Sequence, residues 1–497
     1  MTTPQGPSAG HESSVDIEAY RLVRAGKLEE ALPYAVRAVR GAFACVPGHS
    51  FLASILMRLG RTSEAEAVVS RATELAAGEA AAYDGLAYVS IELGRHERAN
   101  ELYRRATAQS PRTPRYWYNL ACSDRSLGRL AEAEESCNRC IALDPAQYPT
   151  YLVRSELRVQ APEENHIEEL QARLARTGSD SRARAFLGYA LAKELDDVGR
   201  FDEAFTWFAA AAAARRSQIT YDVADDERRL QRIAQVFAGR TRAGAQGHEA
   251  AANEAPRCIF VVGLPRSGTT LVERILSGLA GVRSNGETDN FSRSLTAASK
   301  GDGDMFERAV AADPAAVAAH YARLARLGDS QGPVIEKLPA NCLYLGAIHP
   351  ALPDAGILLV SRAPLDSCFA MFRTLFGDAY PFTYDFDELA RYYAAYARLM
   401  EHWRTVLADR LHEIIYEDLV ADPRRIGAKA ARHCGLSWSD AAVDIPSNQS
   451  ASLTASAAQV RRPIYGSSSG RWRHYRRHLV PLIVALRRHG VSLPEDA

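Results

Sequence analysis

The pattern of apolar and polar positions changes character at Cys258. From there CIFVVGL (258–264) is a continuous apolar run, as expected of a strand buried on both faces of a parallel sheet. TTLVERILSGLA (269–280) follows, with Leu271, Ile275 and Leu279 at helical spacing. AGILLVSR (355–362) predicts a second strand and HEIIYEDL (412–419) a third, separated by helical stretches such as DFDELARYYAAYARLMEHW. Strands alternating with helices predict an α/β domain over 257–490, a parallel sheet covered by helices. Ahead of it, YDVADDERRLQRIAQVFAG (221–239) reads as a polar helix and TRAGAQGHEAAANEAPR (241–257) as an aperiodic linker, so residues 216–256 are expected to be helix and linker.

The first half repeats. Gly26-Lys27, Gly60-Arg61, Gly94-Arg95 and Gly128-Arg129 recur every 34 residues, each followed at one offset by an alanine: Ala31, Ala65, Ala99 and Ala133. Gly199-Arg200 with Ala204 comes 71 residues after the fourth, close to two more periods across a degenerate unit around PEENHIEEL. Pro111 and Pro145, again 34 apart, punctuate unit ends. Glycine ends one helix and alanine lets paired helices approach, so a period of 34 is the tetratricopeptide (TPR) signature. It predicts an α-solenoid over 15–215, preceded by a disordered tail at 1–14. The concave face of such a solenoid usually binds a peptide or protein partner; docking on the second domain or dimerisation is the plainer alternative.

Composition narrows the classes. A chain of 497 residues exceeds one ordinary core. Its 60 basic and 60 acidic side chains cancel, which gives no sign of nucleic-acid binding. The 8 cysteines are scattered and do not resemble a disulfide framework. Cys137 and Cys140 form a CxxC inside a repeat, where packing is the expectation. MTTPQGPSAGHESS lacks a signal-peptide pattern, and no apolar run approaches the ~18 residues that cross a bilayer. A soluble, cytoplasmic protein without membrane contact is expected.

VVGLPRSGTT (261–270) nearly spells the phosphate loop G-x-x-x-x-G-K-S/T. Gly263 and Gly268 hold the two glycine positions, but Thr269 stands where the lysine belongs. In nucleotide triphosphatases that lysine reaches the β- and γ-phosphates. Strand, glycine-rich turn and helix N-terminus still suit an anion. The loop is therefore expected to hold a phosphate group without hydrolysing Mg·ATP, and a kinase or triphosphatase is the disfavoured reading.

With that loop in place, the chain resembles the sulfotransferase family, whose members use 3′-phosphoadenosine 5′-phosphosulfate (PAPS) as donor and release 3′-phosphoadenosine 5′-phosphate (PAP). PRSGTT is similar to the family's 5′-phosphosulfate loop. SNGETDN (284–290) resembles the segment that carries the catalytic Glu of protein-tyrosine sulfotransferases. EKLPANCLYLGAIHPALPDA (336–355) resembles their Lys-x-Pro segment and VSRAPLDSC (360–368) their 3′-phosphate-binding turn. YEDLVADP (416–423) and SAAQVRRPIYGSSSGRW (456–472) resemble C-terminal elements. The likeness runs over roughly 256–485, and bacterial proteins joining TPR repeats to such a domain are most similar.

The resemblance implies roles. Glu287 is the expected base and Lys337 the cation at the leaving oxygen. Arg266, Ser267, Gly268, Thr269 and Thr270 are expected to cradle the 5′-phosphosulfate. Arg362 is expected on the 3′-phosphate, where the family places a serine eight residues later; this chain has Ala370 there, and Ser367 one turn earlier is the candidate substitute. Tyr416 is expected beside the adenine, a core tyrosine being the alternative. Ser456 and the cationic pair Arg461/Arg462 match a stretch expected to close over the cofactor, and the GSSSGRW loop is expected to add backbone donors and Arg471. The basic tail RWRHYRRHL (471–479) attracts an anion or is a solvated helix. The histidines lack metal-ligand spacing, and no metal is expected. The implied function is sulfuryl transfer from PAPS to an acceptor hydroxyl, on a protein or peptide tyrosine or a small hydroxylated molecule, with the repeats recruiting acceptor or partner. The alternative is a catalytically impaired scaffold or adaptor, which Ala370 favours.

Overall fold

In the computed structural model the described residues are 17–41, 46–76, 78–238, 257–325, 332–448, 450–452, 454, 459–466 and 468–495. The expected tail at 1–14 and most of the expected linker, 239–256, lie outside them. The chain divides into two compact units, residues 2–158 with 450–452 and residues 159–449 with 453–497.

The first unit is helical, running from Ile17–Arg24 and Leu28–Gly41 to Leu130–Leu143 and Tyr148–Glu156. Its recurring Gly-Arg/Lys pairs have one physical cause. Gly26, Gly60, Gly94 and Gly128 sit at φ +75°, +75°, +72° and +81°. Gly60 N–H donates to Met57 O at 2.9 Å and Arg61 N–H to Leu56 O at 2.8 Å, a pairing matched at the other three sites. This is the Schellman closure, which satisfies the last carbonyls of a helix and requires a left-handed residue. The partner alanines, Ala31, Ala65, Ala99 and Ala133, are all 0% exposed, so no larger side chain fits between the helices. Cys137 and Cys140 are likewise buried in Leu130–Leu143.

Gly199 (φ +79°) closes the helix Ser181–Asp197 by the same device, and Ala204 is buried in the next helix, Phe201–Arg216. Both helices belong to the second unit, although the sequence pattern placed them with the repeats.

The second unit holds a five-stranded sheet ordered β2-β3-β1-β4-β5. The strands are β1 (Cys258–Gly263), β2 (Arg283–Ser284), β3 (Val334–Glu336), β4 (Gly356–Ser361) and β5 (Leu411–Ile415). Every pairing is parallel, with Ile259 opposite Ile335 on one side and Gly356 on the other. Alternation assigns the faces. Ile259 and Val261 join Leu358, Val360 and Ile414 beneath the helices Thr269–Ser277 and Pro423–His433. Phe260 points the other way, into Phe291 (5.8 Å) and Tyr321 (5.6 Å). The third expected strand stops at Ile415, where a helix, Tyr416–Ala421, begins. Among the described residues no helix is long and apolar enough to cross a membrane.

Candidate active site

All strands being parallel, their carboxyl ends share one edge of the sheet, and β1 is the switch point where the winding reverses from β3 to β4. The loop follows β1, Glu287 comes three residues past β2, and Lys337, Arg362 and Tyr416 directly follow β3, β4 and β5.

The loop departs from β1 in a conformation that side chains resist. Gly263 has φ +154°, and a Cβ there would stand 2.6 Å from Val360 O. Gly268 has φ +105°, and its Cβ would meet the Tyr416 ring at 2.4 Å. Arg266 is left-handed too, at φ +66°. Thr269 and Thr270, both buried, open the helix Thr269–Ser277, whose first amides have no intrahelical acceptor. Ser267 is 1% exposed, and its Oγ is buried without a hydrogen-bond partner. A buried orphan hydroxyl at a helix N-terminus fits a phosphate oxygen.

Arg362 stands over this loop. Its Nη1 donates to Arg266 O at 3.0 Å and its Nη2 to Ser468 O at 2.5 Å, while its buried Nε has no partner. The guanidinium lies 4.7 Å from the Tyr416 ring centre, and Tyr416 Oη pairs with Ser468 Oγ at 2.6 Å. Ser267, Ser361, Arg362 and Ser367 line one cavity of about 100 Å³ with Tyr393 and Tyr396. Ser367 is therefore brought to the site, although its Oγ also lies 3.4 Å from Arg362 O.

Lys337 is fully buried and forms an ion pair with Glu287 Oε1. Its Nζ also lies 3.7 Å from Oε2 of Glu273, one turn into the phosphate-loop helix. Glu287 Oε2 has no hydrogen-bond partner. Lys337 N–H donates to Gly286 O at 3.0 Å, which ties the Glu287 segment to the end of β3. Burial and then the Glu287 charge push the nearby Tyr380 phenol up.

Two expected residues are drawn elsewhere. Arg471 does not reach the loop: its Nη2 is held by Asp196 Oδ2 at 2.7 Å, because that buried carboxylate needs compensating charge. Arg461 donates to Asn448 O at 3.3 Å, behind the loop helix, where Arg274 reaches Asn448 Oδ1 at 3.1 Å. Burial, then Arg461, brings the Arg274 guanidinium down to about 10. Ser456 lies outside the described residues.

Sequence reasoning missed Glu273, Asp366, Ser468 and Glu336. Glu273 accepts from Ser284 Oγ at 2.5 Å, and Asp366 accepts from Gly470 N–H at 2.8 Å. Glu336, the residue before Lys337, is 0% exposed; Asn341 donates to it at 3.2 Å. Burial pushes its carboxyl up to about 7, against the pull of Asn341 and Tyr321. Only Glu336, a carboxylate inside the apolar VIEKLPA, carried a visible signal. Among the described residues no group of three or more His, Cys, Asp or Glu is placed to hold a metal ion.

Residues 256–440 match the family model described as the sulfotransferase family, and residues 18–81 and 85–148 match that of the tetratricopeptide repeat. An Aquifex aeolicus (strain VF5) protein described as uncharacterized is 28% identical over 349 residues, 67% of this chain. The match spans 45% of that relative's length. The sulfotransferase domain of the Synechococcus PCC 7002 olefin synthase is 22% identical, with a TM-score of 0.34, over 48% of this chain and 97% of that one. Sulfotransferase STF1 of Mycobacterium tuberculosis H37Rv is 16% identical, with a TM-score of 0.28, over 59% of this chain and 97% of that one.

Proposed function

From the premise that this chain joins tetratricopeptide repeats to a sulfotransferase-family domain, we propose that the domain transfers a sulfuryl group from PAPS to an acceptor hydroxyl. The observation that carries this reading is the convergence, past the carboxyl ends of five parallel strands, of a lysine-free phosphate loop with the Glu287–Lys337 pair and Arg362. PAPS, when bound, supplies the activated sulfuryl group. Ser267 Oγ and the first amides of the Thr269 helix hold its 5′-phosphosulfate, and Arg362, with Ser367 behind it, takes the 3′-phosphate. Tyr416, stacked on Arg362, offers a face to the adenine. Glu287 removes the acceptor hydroxyl's proton as the new S–O bond forms. Lys337 stabilises the charge that builds on the phosphate oxygen as the old S–O bond breaks, and that oxygen leaves on PAP.

A protein or peptide tyrosine is the proposed acceptor class, because solenoid repeats suit peptide recruitment. A single-turnover assay with sulfur-labelled PAPS and a tyrosine-peptide pool tests it. Labelled peptide from the wild-type chain, and none from Glu287→Gln that still binds PAP, supports the reading. PAP binding without transfer to peptides or small hydroxylated molecules would instead favour the scaffold that Ala370 suggests.

A further inference from the structure

One buried carboxylate outside the reaction centre gathers three partners. Asp196, at the end of the helix Ser181–Asp197, is 6% exposed. Arg373 Nη1 donates to it at 2.6 Å, and Arg471 through Nη2 at 2.7 Å and Nε at 3.2 Å. Tyr475 Oη donates to its other oxygen. Burial alone drives such a carboxyl up, but the charges of Arg373 and Arg471 bring it below its ordinary value.

These partners lead to the site by short steps. Arg471 and Tyr475 bound the turn of 3₁₀ helix at 471–475. Just before it, Gly470 N–H donates to Asp366 at 2.8 Å, and Ser468 holds both Arg362 and Tyr416. Arg373 closes the helix Pro364–Phe372, which starts two residues after Arg362. The segment 468–475 is thus sewn to that helix at both ends, through Asp366 and through Asp196.

We propose that Asp196 is a positioning residue for donor binding: it anchors segment 468–475, which in turn sets Arg362 and Tyr416 for the PAPS nucleotide. The helices before the sheet then serve the transferase site itself, which agrees with their place in the second unit. This inference rests on the proposed sulfuryl transfer.

The experiment compares wild type, Asp196→Asn and Tyr475→Phe, with Glu203→Gln as a control for an exposed ion pair on the adjoining helix. PAP affinity is read by calorimetry, kcat and KM for PAPS and acceptor by steady-state kinetics, and segment 468–476 by hydrogen exchange. Asp196→Asn should weaken PAP binding about tenfold. It should raise KM for PAPS in step, leave kcat and the acceptor KM within about twofold, and speed exchange in the segment. Tyr475→Phe, which keeps the buried ring, should shift PAP binding less and in the same direction; the control should shift nothing. Unchanged PAP affinity in both variants beside a binding wild type would overturn this inference alone, as would a loss confined to kcat. A wild type that binds no PAP would defeat the functional reading and this one with it.

Discussion

Replacing Lys337 by Met keeps most of the side chain's volume and removes its charge. The structure sets the size of the effect. Lys337 is fully buried, and the side chains of Glu287 and Glu273 are 13% and 11% exposed. At an effective dielectric constant near 20, charges about 4 Å apart interact by roughly 4 kcal/mol. Desolvation of the lysine offsets much of that attraction. Once the lysine is gone, two nearly buried carboxylates are left facing each other, and breaking a buried pair in this way costs about 3–5 kcal/mol. Lys337→Met should therefore destabilise the α/β unit by about 3 kcal/mol, and adding Glu287→Gln should restore most of that loss. Turnover should fall by about 10²–10³ in the single variant and should not return in the double. Hydrogen exchange of the β1 and β3 amides in dilute urea reads this unit alone, which matters because a chain of two units need not unfold in one step. A destabilisation below about 1 kcal/mol, or a double variant no more stable than the single, would refute the electrostatic account. Turnover within about tenfold of wild type would refute the leaving-group role.

Gly268→Ala should cost about 1–3 kcal/mol from the backbone at φ +105° and push the Tyr416 ring off Ser468, seen as lost PAP affinity and a changed tyrosine environment. Trimming Tyr416 as well should relieve the clash but not the backbone strain. Glu336→Gln should change the pH profile of stability. The folded carboxyl is raised from 4.5 to about 7, so its protonated form is the favoured one and wild-type stability declines as pH rises through that window. The stability of the variant relative to wild type should rise by up to about 3 kcal/mol between pH 5 and pH 8, measurable by calorimetric unfolding at the two values. In the first unit, Ala99→Leu should cost about 1–3 kcal/mol by overpacking a 0%-exposed contact, without altering PAP binding by the second unit.

Local signals carried most of the outline. β1 and β4 showed as apolar runs, and the loop as a glycine pair whose positive φ angles the structure explains. β2 and β3, two and three residues long, are too short for any alternation to register. The repeat pattern ran on to Ala204 because a Schellman turn and a close helix pair are local devices; the same pair serves equally in a helix stack or beside a sheet. Arg471 was placed by motif likeness, yet its partner lies 275 residues away, where no local pattern reaches. Glu273 was hidden for a related reason, since its role depends on which strand end the loop helix faces. Glu287, Lys337 and Arg362 were placed by motif likeness; the structure sets Lys337 and Arg362 directly after β3 and β4, and Glu287 three residues past β2.

The central claim is that the crevice past the strand ends holds the sulfuryl donor's nucleotide, and PAP binding without Mg²⁺ tests it most directly. Thermal unfolding of the full chain with PAP, beside Mg·ATP, is the measurement. At a hundredfold excess over its dissociation constant a ligand adds about 2.7 kcal/mol to the folded state. The account predicts a clear rise for the second unit with PAP, reduced by Arg362→Met, and none with Mg·ATP. A rise with Mg·ATP alone, or none with PAP, would contradict it.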